Sequence, residues 1–350
     1  MSSLPSIALL AIFAASAGVI WVAGIRLSAT TDVLSTRFGL GEALGGLILL
    51  ALATNLPEAA ITCTAALSHN FGIAIGNILG GVAIQTVVLA ILDFADRRDA
   101  PLSYRGASLT LVLEATLVVA VLIVAIMGSR LPSSQHAAHL EPGSVVIVAL
   151  WVGGLLLINR ARKGLPWQEK GTAPGAQAKP RGHSAAQREK GAGSTRVTVI
   201  AFAVASVATL AAGVAIEESG NALAGKVGMS GVIFGSTVLA AATALPELST
   251  GLGSVRLGDV QLAFSDIFGG NAFLPVLFFL ATLISGDSVL PRAQDTDVYM
   301  AGLGILLTCV YIYGLLFRPR RRVLGMGVDS LCVVVLYLLG IVGLATIGGG

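Results

Sequence analysis

Ten long apolar stretches decide what this chain can fold into. They run over 5–25, 40–66, 72–92, 107–128, 143–159, 195–216, 228–253, 260–284, 298–317 and 326–347. A helix of about 20 residues crosses a hydrocarbon core of about 30 Å. Inside that layer each backbone polar group must be bonded without help from water, so only helices and closed barrels survive. Barrel strands alternate polar and apolar residues over about ten positions, and these stretches do not. The expected fold is an all-α polytopic membrane protein with about ten transmembrane helices. Composition supports this: 55% of the 350 residues are hydrophobic and only 12% are charged, about half the charged share of a soluble domain. The first stretch has the length of a signal peptide but lacks a basic leading segment, and nine more stretches follow. It is read as a retained helix.

Charge then fixes an orientation. With the N-terminus outside, the inner loops carry Arg26 and Arg37; Arg97, Arg98 and Arg105; nine basic residues from Arg160 to Arg196; Arg256; and Arg318, Arg320, Arg321 and Arg322. Of the 22 basic residues, all but Arg130, Lys226 and Arg292 fall on that side. This is the positive-inside pattern, and a missed helix would invert everything after it. The C-terminus is then also outside, and the protein is expected to be a multi-pass cell-membrane protein. The segment 161–194, rich in Gly, Ala, Gln and charge, reads as a flexible cytoplasmic linker. It lacks the aromatic interleaving that nucleic-acid binding would favour. Cys63, Cys309 and Cys332 have neither metal-ligand nor disulfide spacing. His136, His139 and His183 form no metal-ligand arrangement.

The linker divides the chain into residues 1–160 and 195–350, with five spans each. Ala53-Thr54-Asn55-Leu56-Pro57-Glu58 in the second span returns as Ala242-Thr243-Ala244-Leu245-Pro246-Glu247 in the seventh, 189 residues later. At the same offset Ala74 meets Ala263, Asn77 meets Asp266, and Gly80-Gly81 meets Gly269-Gly270, without a gap. Five is odd, so the two halves enter the membrane from opposite sides. Two inverted five-helix repeats are the plan of many secondary transporters, whose substrate site lies near the midplane.

Glu58 and Glu247 fall in the middle of apolar helices. A charged carboxylate there costs about 3 kcal/mol or more, so intramembrane acids usually mark ion or proton paths. Pro57 cannot donate to the Ala53 carbonyl, nor Pro246 to that of Ala242, so each helix should kink and bare an oxygen. Thr54 and Thr243 lie four residues before the glutamates, on the same helical face. Carboxylate, hydroxyl and carbonyl together make the oxygen-rich set that hard cations such as Na⁺ and Ca²⁺ prefer. Protons are the third candidate occupant. In the following helices Asn77, Gly81 and Gln85 share one face, as do Asp266, Gly270 and Leu274. Asn271 reaches either the site or a helix contact. Glu114, in the fourth span, lines a proton or water path or bonds locally. Glu217 and Glu218 sit at the outer end of the sixth span, as a hydrated mouth or a plain helix end. His69, between the two key helices of the first half, reads as an interface residue.

The two motifs resemble the alpha repeats of the calcium/cation antiporter superfamily, of the sodium/calcium exchanger type. That family carries Gly-Thr-Ser-x-Pro-Glu, then Gly-Asn-x-x-Gly-Ser-Asn-x-x-Asn, in both halves. Here the second motif reads Gly76 to Gln85 in one half and Ser265 to Leu274 in the other. The motifs cover about 70 residues, and the five-plus-five plan extends the likeness over the whole chain. The resemblance implies a secondary antiporter moving Ca²⁺ or a similar cation against Na⁺ or H⁺ by alternating access. Glu58 and Glu247 would be the central ion ligands, Thr54 and Thr243 would add oxygens, and Gln85 would take the place of a ligating Asn. Asn55, Asn77 and Asp266 are further cation-binding candidates, and Glu114 and Asn271 accessory ones. The departures lie in the ligand set: Leu274 stands where the family has Asn or Asp, Gly81 and Gly270 replace serines, and Asn55 and Ala244 replace two more.

Other classes remain at this stage: a Na⁺/H⁺ antiporter, a cation channel, or a membrane protein that transports nothing. A membrane enzyme is disfavoured. The chain has no zinc motif and no Ser/His pairing within the spans, and Gly302-Leu303-Gly304 lies inside a span rather than after a strand. No cofactor is expected. The expected partners are inorganic cations and the lipid bilayer, with no nucleic acid.

Overall fold

The computed structural model describes residues 1, 3–37, 46–132, 140–166, 194–228 and 234–348. Most of the 161–194 linker, with His183, and the loop residues His136 and His139 lie outside them. The described residues are helical apart from one short hairpin and the connecting turns. In order come α1 (Ser6–Arg37), α2 (Gly46–Thr54), α3 (Leu56–Leu67), α4 (Phe71–Ala95), α5 (Leu102–Gly106), α6 (Leu109–Ser129) and α7 (Pro142–Lys163). The second half holds α8 (Thr195–Lys226), a π-type turn at Gly235–Leu239 leading into α9 (Ala240–Thr243), α10 (Leu245–Leu257), α11 (Val260–Phe273) and α12 (Leu277–Ser285). It ends with α13 (Asp295–Phe317), strands β1 (Arg322–Val323) and β2 (Met326–Gly327), and α14 (Val328–Gly348). Among the described residues eight helical stretches are long and apolar enough to cross a membrane, or nine if α9 and α10 count as one bent span. The expected span 40–66 appears as the two helices α2 and α3, and its first residues lie outside the described set.

Two helices overrun their apolar runs. The first was expected to end near residue 25 and continues to Arg37; the sixth was expected to end near 216 and continues to Lys226. A charged residue ends a hydropathy run without ending the backbone ladder, so Arg26 and Glu217 sit within helix. These two long helices pack along each other. At one end Arg37 Nη1 donates to Thr195 Oγ1 at 2.9 Å. At the other, Lys226 Nζ donates to the Leu4 carbonyl at 2.5 Å. α1 also lies against α2, α9 and α10, and α8 against α3.

Helix ends follow local chemistry. Ser108 caps α6 by accepting from Leu111 N at 3.4 Å, and Asp259 caps α11 by accepting from Leu262 N at 3.1 Å. Gln294 and Asp297 form a reciprocal capping box at the start of α13. The tight α10–α11 turn needs Gly258 at φ +82°, a left-handed conformation that disfavours a side chain.

α4 and α11 form the buried centre. α4 has Ile75, Ile78, Val82 and Ala83 inside, and α11 has Ala263, Phe264, Ile267 and Phe268. Gly80 allows a close crossing here. A Cβ on Gly80 would collide with the main chain of Ser236, so α4 rides directly on the turn before α9. A Cβ on Gly269 would lie 3.5 Å from that of Ala51, an ordinary contact, so the packing of α11 on α2 does not itself require the glycine.

Candidate functional site

Both proline motifs break their helices at the same step. α2 ends at Thr54 and α3 begins at Leu56, with Asn55 between them at φ −87°, ψ 13°. α9 ends at Thr243 and α10 begins at Leu245, with Ala244 at φ −75°, ψ 3° and a bend of 46°. Each proline occupies the second position of the new helix, where its missing N–H costs little. Each glutamate follows in the first turn, where the helix dipole favours negative charge. The break therefore places both carboxylates at helix N-termini inside the bundle. Glu58 and Glu247 are both 0% exposed.

The breaks also bring the two halves together. The Thr243 hydroxyl lies beside the Glu58 carboxylate and the Thr54 hydroxyl beside Glu247. Each hydroxyl donates within its own helix, Thr54 to Ala51 O at 3.3 Å and Thr243 to Ala240 O at 3.2 Å, which leaves its lone pairs free. Glu58, Glu247 and Asp266 are near enough for Glu247 to feel the charge of both others. Glu58 Oε2, both oxygens of Glu247 and Asp266 Oδ1 are buried without a hydrogen-bond partner. Buried polar atoms are normally paired, so this cluster of unpartnered acceptor oxygens is chemically suited to a cation or to protons. No three His, Cys, Asp or Glu side chains form a metal-holding group among the described residues. Any cation here would rest on two carboxylates and neutral oxygens.

The two sides of the site differ. On the Glu58 side, Gln85 Nε2 donates to Asn55 Oδ1 at 3.2 Å and to Glu58 Oε1 at 3.4 Å. Asn55 Nδ2 donates to Ala51 O at 2.7 Å. Gly270 makes room for this group: a Cβ there would lie 2.7 Å from Asn55 Nδ2 and 3.3 Å from Gln85 Oε1. On the Glu247 side Leu274 is fully buried, and a Cβ on Gly81 would lie 3.0 Å from its Cδ1. The leucine thus fills the space that a side chain at 81 would need. The two substitutions are sterically linked, which the sequence did not reveal.

The remaining candidates fall into three groups. Asp266 lies one layer away, with Oδ2 accepting from Thr250 Oγ1 at 2.5 Å; Thr250 also approaches the Glu247 carbonyl at 3.1 Å. Asn77 is fully buried with neither amide atom bonded. Asn271 is a helix contact: its Nδ2 donates to Thr86 Oγ1 at 3.0 Å and ties α11 to α4. Glu114 pairs with Arg162 at 2.6 Å, joining α6 to α7 and lining a pocket between α2, α6, α7 and α11. Glu217 and Glu218 line an open cavity of about 600 Å³ with Thr64, Ser68 and Lys226. His69 Nδ1 lies 3.1 Å from Asp287 Oδ2, an interface contact between the two halves.

Sequence reasoning missed Thr250 and Thr86, the hydroxyl partners of Asp266 and Asn271. Thr250 stands three residues after Glu247, which is the one signal that could have found it. Two glycines were missed as well. Gly24 in α1 and Gly213 in α8 are also 189 residues apart. A Cβ on Gly24 would lie 2.8 Å from Pro246 Cβ. One on Gly213 would lie 2.9 Å from Ala60 Cβ and 3.1 Å from the Pro57 carbonyl. Each long helix therefore touches the proline kink of the opposite half through a glycine.

The chain matches the family described as sodium/calcium exchanger protein over residues 8–159 and 197–345. It is 25% identical over 312 residues to the inner membrane protein YrbG of Escherichia coli (strain K12), covering 87% of each chain. It is also 25% identical over 304 residues to the putative antiporter CaxA of Alkalimonas amylolytica, covering 84% of this chain and 85% of that one. Its fold is similar to the crystal structure of the H⁺/Ca²⁺ exchanger CAX, with a TM-score of 0.68, 15% identity, and 96% and 81% of the two chains covered. Against a structure of the sodium-calcium exchanger NCX_Mj the TM-score is 0.62 at 15% identity, over 97% and 99% of the chains.

Proposed function

The chain belongs to the sodium/calcium exchanger family, secondary transporters that move cations by alternating access, and we propose that it exchanges Ca²⁺ for Na⁺ or H⁺ at a single site between Glu58 and Glu247. The observation that carries this reading is the sealed pair of carboxylates, with three of their four oxygens unpartnered. One divalent ion balances two carboxylates, and its preference for six to eight oxygens suits a set completed by Thr54, Thr243, Asn55 and Gln85. The Gln85 amide turns its N–H₂ to Glu58; rotation about its last torsion would offer the oxygen instead. Asp266 and Asn77 take second places, Asp266 as a nearby negative charge and Asn77 as an amide on the inward face of α4.

Glycines and leucine at 81, 270 and 274 remove oxygens that several monovalent ions would need. A divalent ion held by the central pair needs them less, which favours Ca²⁺ as cargo over a chain of Na⁺ sites. The architecture proposed is two inverted five-helix repeats, 1–160 and 195–350, joined by the 161–194 linker. The N- and C-termini lie outside and the linker is cytoplasmic, as the basic residues favour. Alternating access then has a physical surface: the α1–α8 pair slides across the kinks at Pro57 and Pro246, where Gly24 and Gly213 leave no side chain to catch.

The test is radiolabelled Ca²⁺ uptake into proteoliposomes under an outward Na⁺ gradient, an outward H⁺ gradient, or neither. Uptake that needs one gradient names the counter-ion. Absence of uptake under every gradient, from protein shown to be folded, overturns the calcium reading and moves Na⁺/H⁺ exchange forward.

A further inference from the structure

Most buried acids away from the central site are answered by donors. Glu114 has Arg162, and Glu141 accepts from Thr282 Oγ1 and from the main-chain N–H groups of Val289 and Leu290. At the arginine-rich end of the bundle two acids meet, and one of them is not. Asp93 closes α4 and Asp329 opens α14, and they are 1% and 6% exposed. Asp93 takes one main-chain donor on each oxygen, Leu102 N at 2.9 Å and Gly327 N at 2.6 Å. Asp329 Oδ1 and Oδ2 accept no well-formed hydrogen bond, although the 2% exposed Ser103 hydroxyl, itself unpaired, and the main-chain N–H groups at Asp329 and Ser330 lie beside them.

The three side chains converge. A Cβ built on Gly327 would lie 2.5 Å from Asp329 Oδ1 and 3.1 Å from Asp93 Oδ2, so both carboxylates border one point. Gly314 of α13 clears space for Asp329 from the other side, since a Cβ there would collide with Oδ2. The nearby guanidinium groups make their hydrogen bonds elsewhere, although Arg105 lies close enough to Asp93 to feel its charge. Arg105 pairs with Asp96, while Arg322 donates to the main-chain oxygens of Asp93, Asp96, Arg98 and Gly325. No ion pair reaches Asp93 or Asp329 among the described residues. The Tyr311 hydroxyl lies within electrostatic reach of both and donates to Ser330 Oγ at 3.3 Å.

We infer that Asp93, Asp329 and Ser103 form a second cation site, distinct from the transport site, that takes a divalent ion and ties the end of α4 to the start of α14. Two carboxylates neutralise a divalent charge, and the free lone pairs of Asp329, Asp93 and Ser103 supply hard oxygen ligands. The loop 96–106 and the β1–β2 hairpin close over it, so the ion would cross-link both halves of the chain outside the sliding surface. The site does not depend on the transport reading.

Its test uses full-length protein in detergent carrying Glu58→Gln and Glu247→Gln, so that the central pair is silent, with Mn²⁺ as probe. Electron paramagnetic resonance should count one bound Mn²⁺ per chain. Adding Asp329→Asn should weaken binding about tenfold or more, and Ser103→Ala by a smaller factor. Asp93 also anchors Leu102 and Gly327, so its removal loosens the loop; Asp329 and Ser103 are the deciding positions. Each variant's unfolding temperature without Mn²⁺ establishes that it is folded. The inference is overturned if the Glu58→Gln/Glu247→Gln protein binds no Mn²⁺, or if folded Asp329→Asn protein binds it as before.

Discussion

The two sides of the central carboxylate cluster carry the same proline-glutamate motif and differ in what surrounds it. The Glu58 side is polar: Asn55 and Gln85 crowd around the carboxylate, and Gly270 across the interface gives them room. The Glu247 side is dry: Leu274 packs toward Gly81, and Ala244 stands where Asn55 does in the other half. In place of neutral ligands it has a second acid, Asp266, held by Thr250. The lesson is that two matching sequence motifs can impose the same helix break while their surroundings diverge. The helix breaks are matched at Asn55 and Ala244; the oxygens around them are not.

The largest test of this asymmetry is to remove each carboxylate in turn. Breaking a buried charge set by deleting one member costs about 3–5 kcal/mol, more than a hundredfold in affinity. Calcium affinity measured by equilibrium dialysis should fall by that order for Glu58→Gln and for Glu247→Gln. The loss should be greater for Glu58→Gln, because only Glu58 has amide oxygens beside it. Equal losses would mean that the polar neighbours contribute nothing.

Rebuilding the dry side is the next test. Gly81→Ser with Leu274→Asn returns a hydroxyl and an amide oxygen to the Glu247 side. Sodium should then inhibit Ca²⁺ uptake at about tenfold lower concentration, the worth of one or two added neutral ligands at about 1 kcal/mol each. Gly81→Ser alone brings a side chain against Leu274, and should lower the unfolding temperature without that gain. If the single variant is as stable as the parent, the steric link between 81 and 274 is wrong.

Smaller effects are expected where the long helices cross the kinks. Gly24→Ala places a methyl group 2.8 Å from Pro246 Cβ, and Gly213→Ala places one 3.1 Å from the Pro57 carbonyl. Exchange should slow by about tenfold, equivalent to 1.4 kcal/mol of barrier, with Ca²⁺ affinity unchanged. A matched fall in affinity would locate the damage in the site and not in the sliding surface. Smallest of all, Thr250→Val deprives Asp266 of its donor and should change Ca²⁺ affinity by about fivefold, one hydrogen bond's worth. No change would remove Asp266 from the site's electrostatics.

Much of this was legible before any coordinates. Pro57 and Pro246 announced the helix breaks, because proline's missing donor acts locally and needs no partner to be recognised. The buried glutamates were legible because a carboxylate in an apolar run has few structural excuses. The ends of α1 and α8 were not: Arg26 and Glu217 interrupt hydropathy, while the backbone ladder continues past them to Arg37 and Lys226. Thr250 and Thr86 were invisible for a different reason. Hydroxyls are common in apolar helices, and only the packing of α10 on α11 and of α11 on α4 tells which ones meet an acid or an amide. Gly24 and Gly213 lay in view at the 189-residue offset, but a glycine's meaning is the neighbour that takes its space.

The account stands on one cation being carried between Glu58 and Glu247. The most direct measurement is Ca²⁺ self-exchange: proteoliposomes loaded with unlabelled Ca²⁺, given radiolabelled Ca²⁺ outside, with no Na⁺ or H⁺ gradient. This removes the counter-ion from the question and asks only whether the loaded site alternates. The parent protein should accumulate label, and folded Glu58→Gln and Glu247→Gln proteins should each fail to. Exchange that survives either substitution, or a folded parent that exchanges nothing, would contradict it.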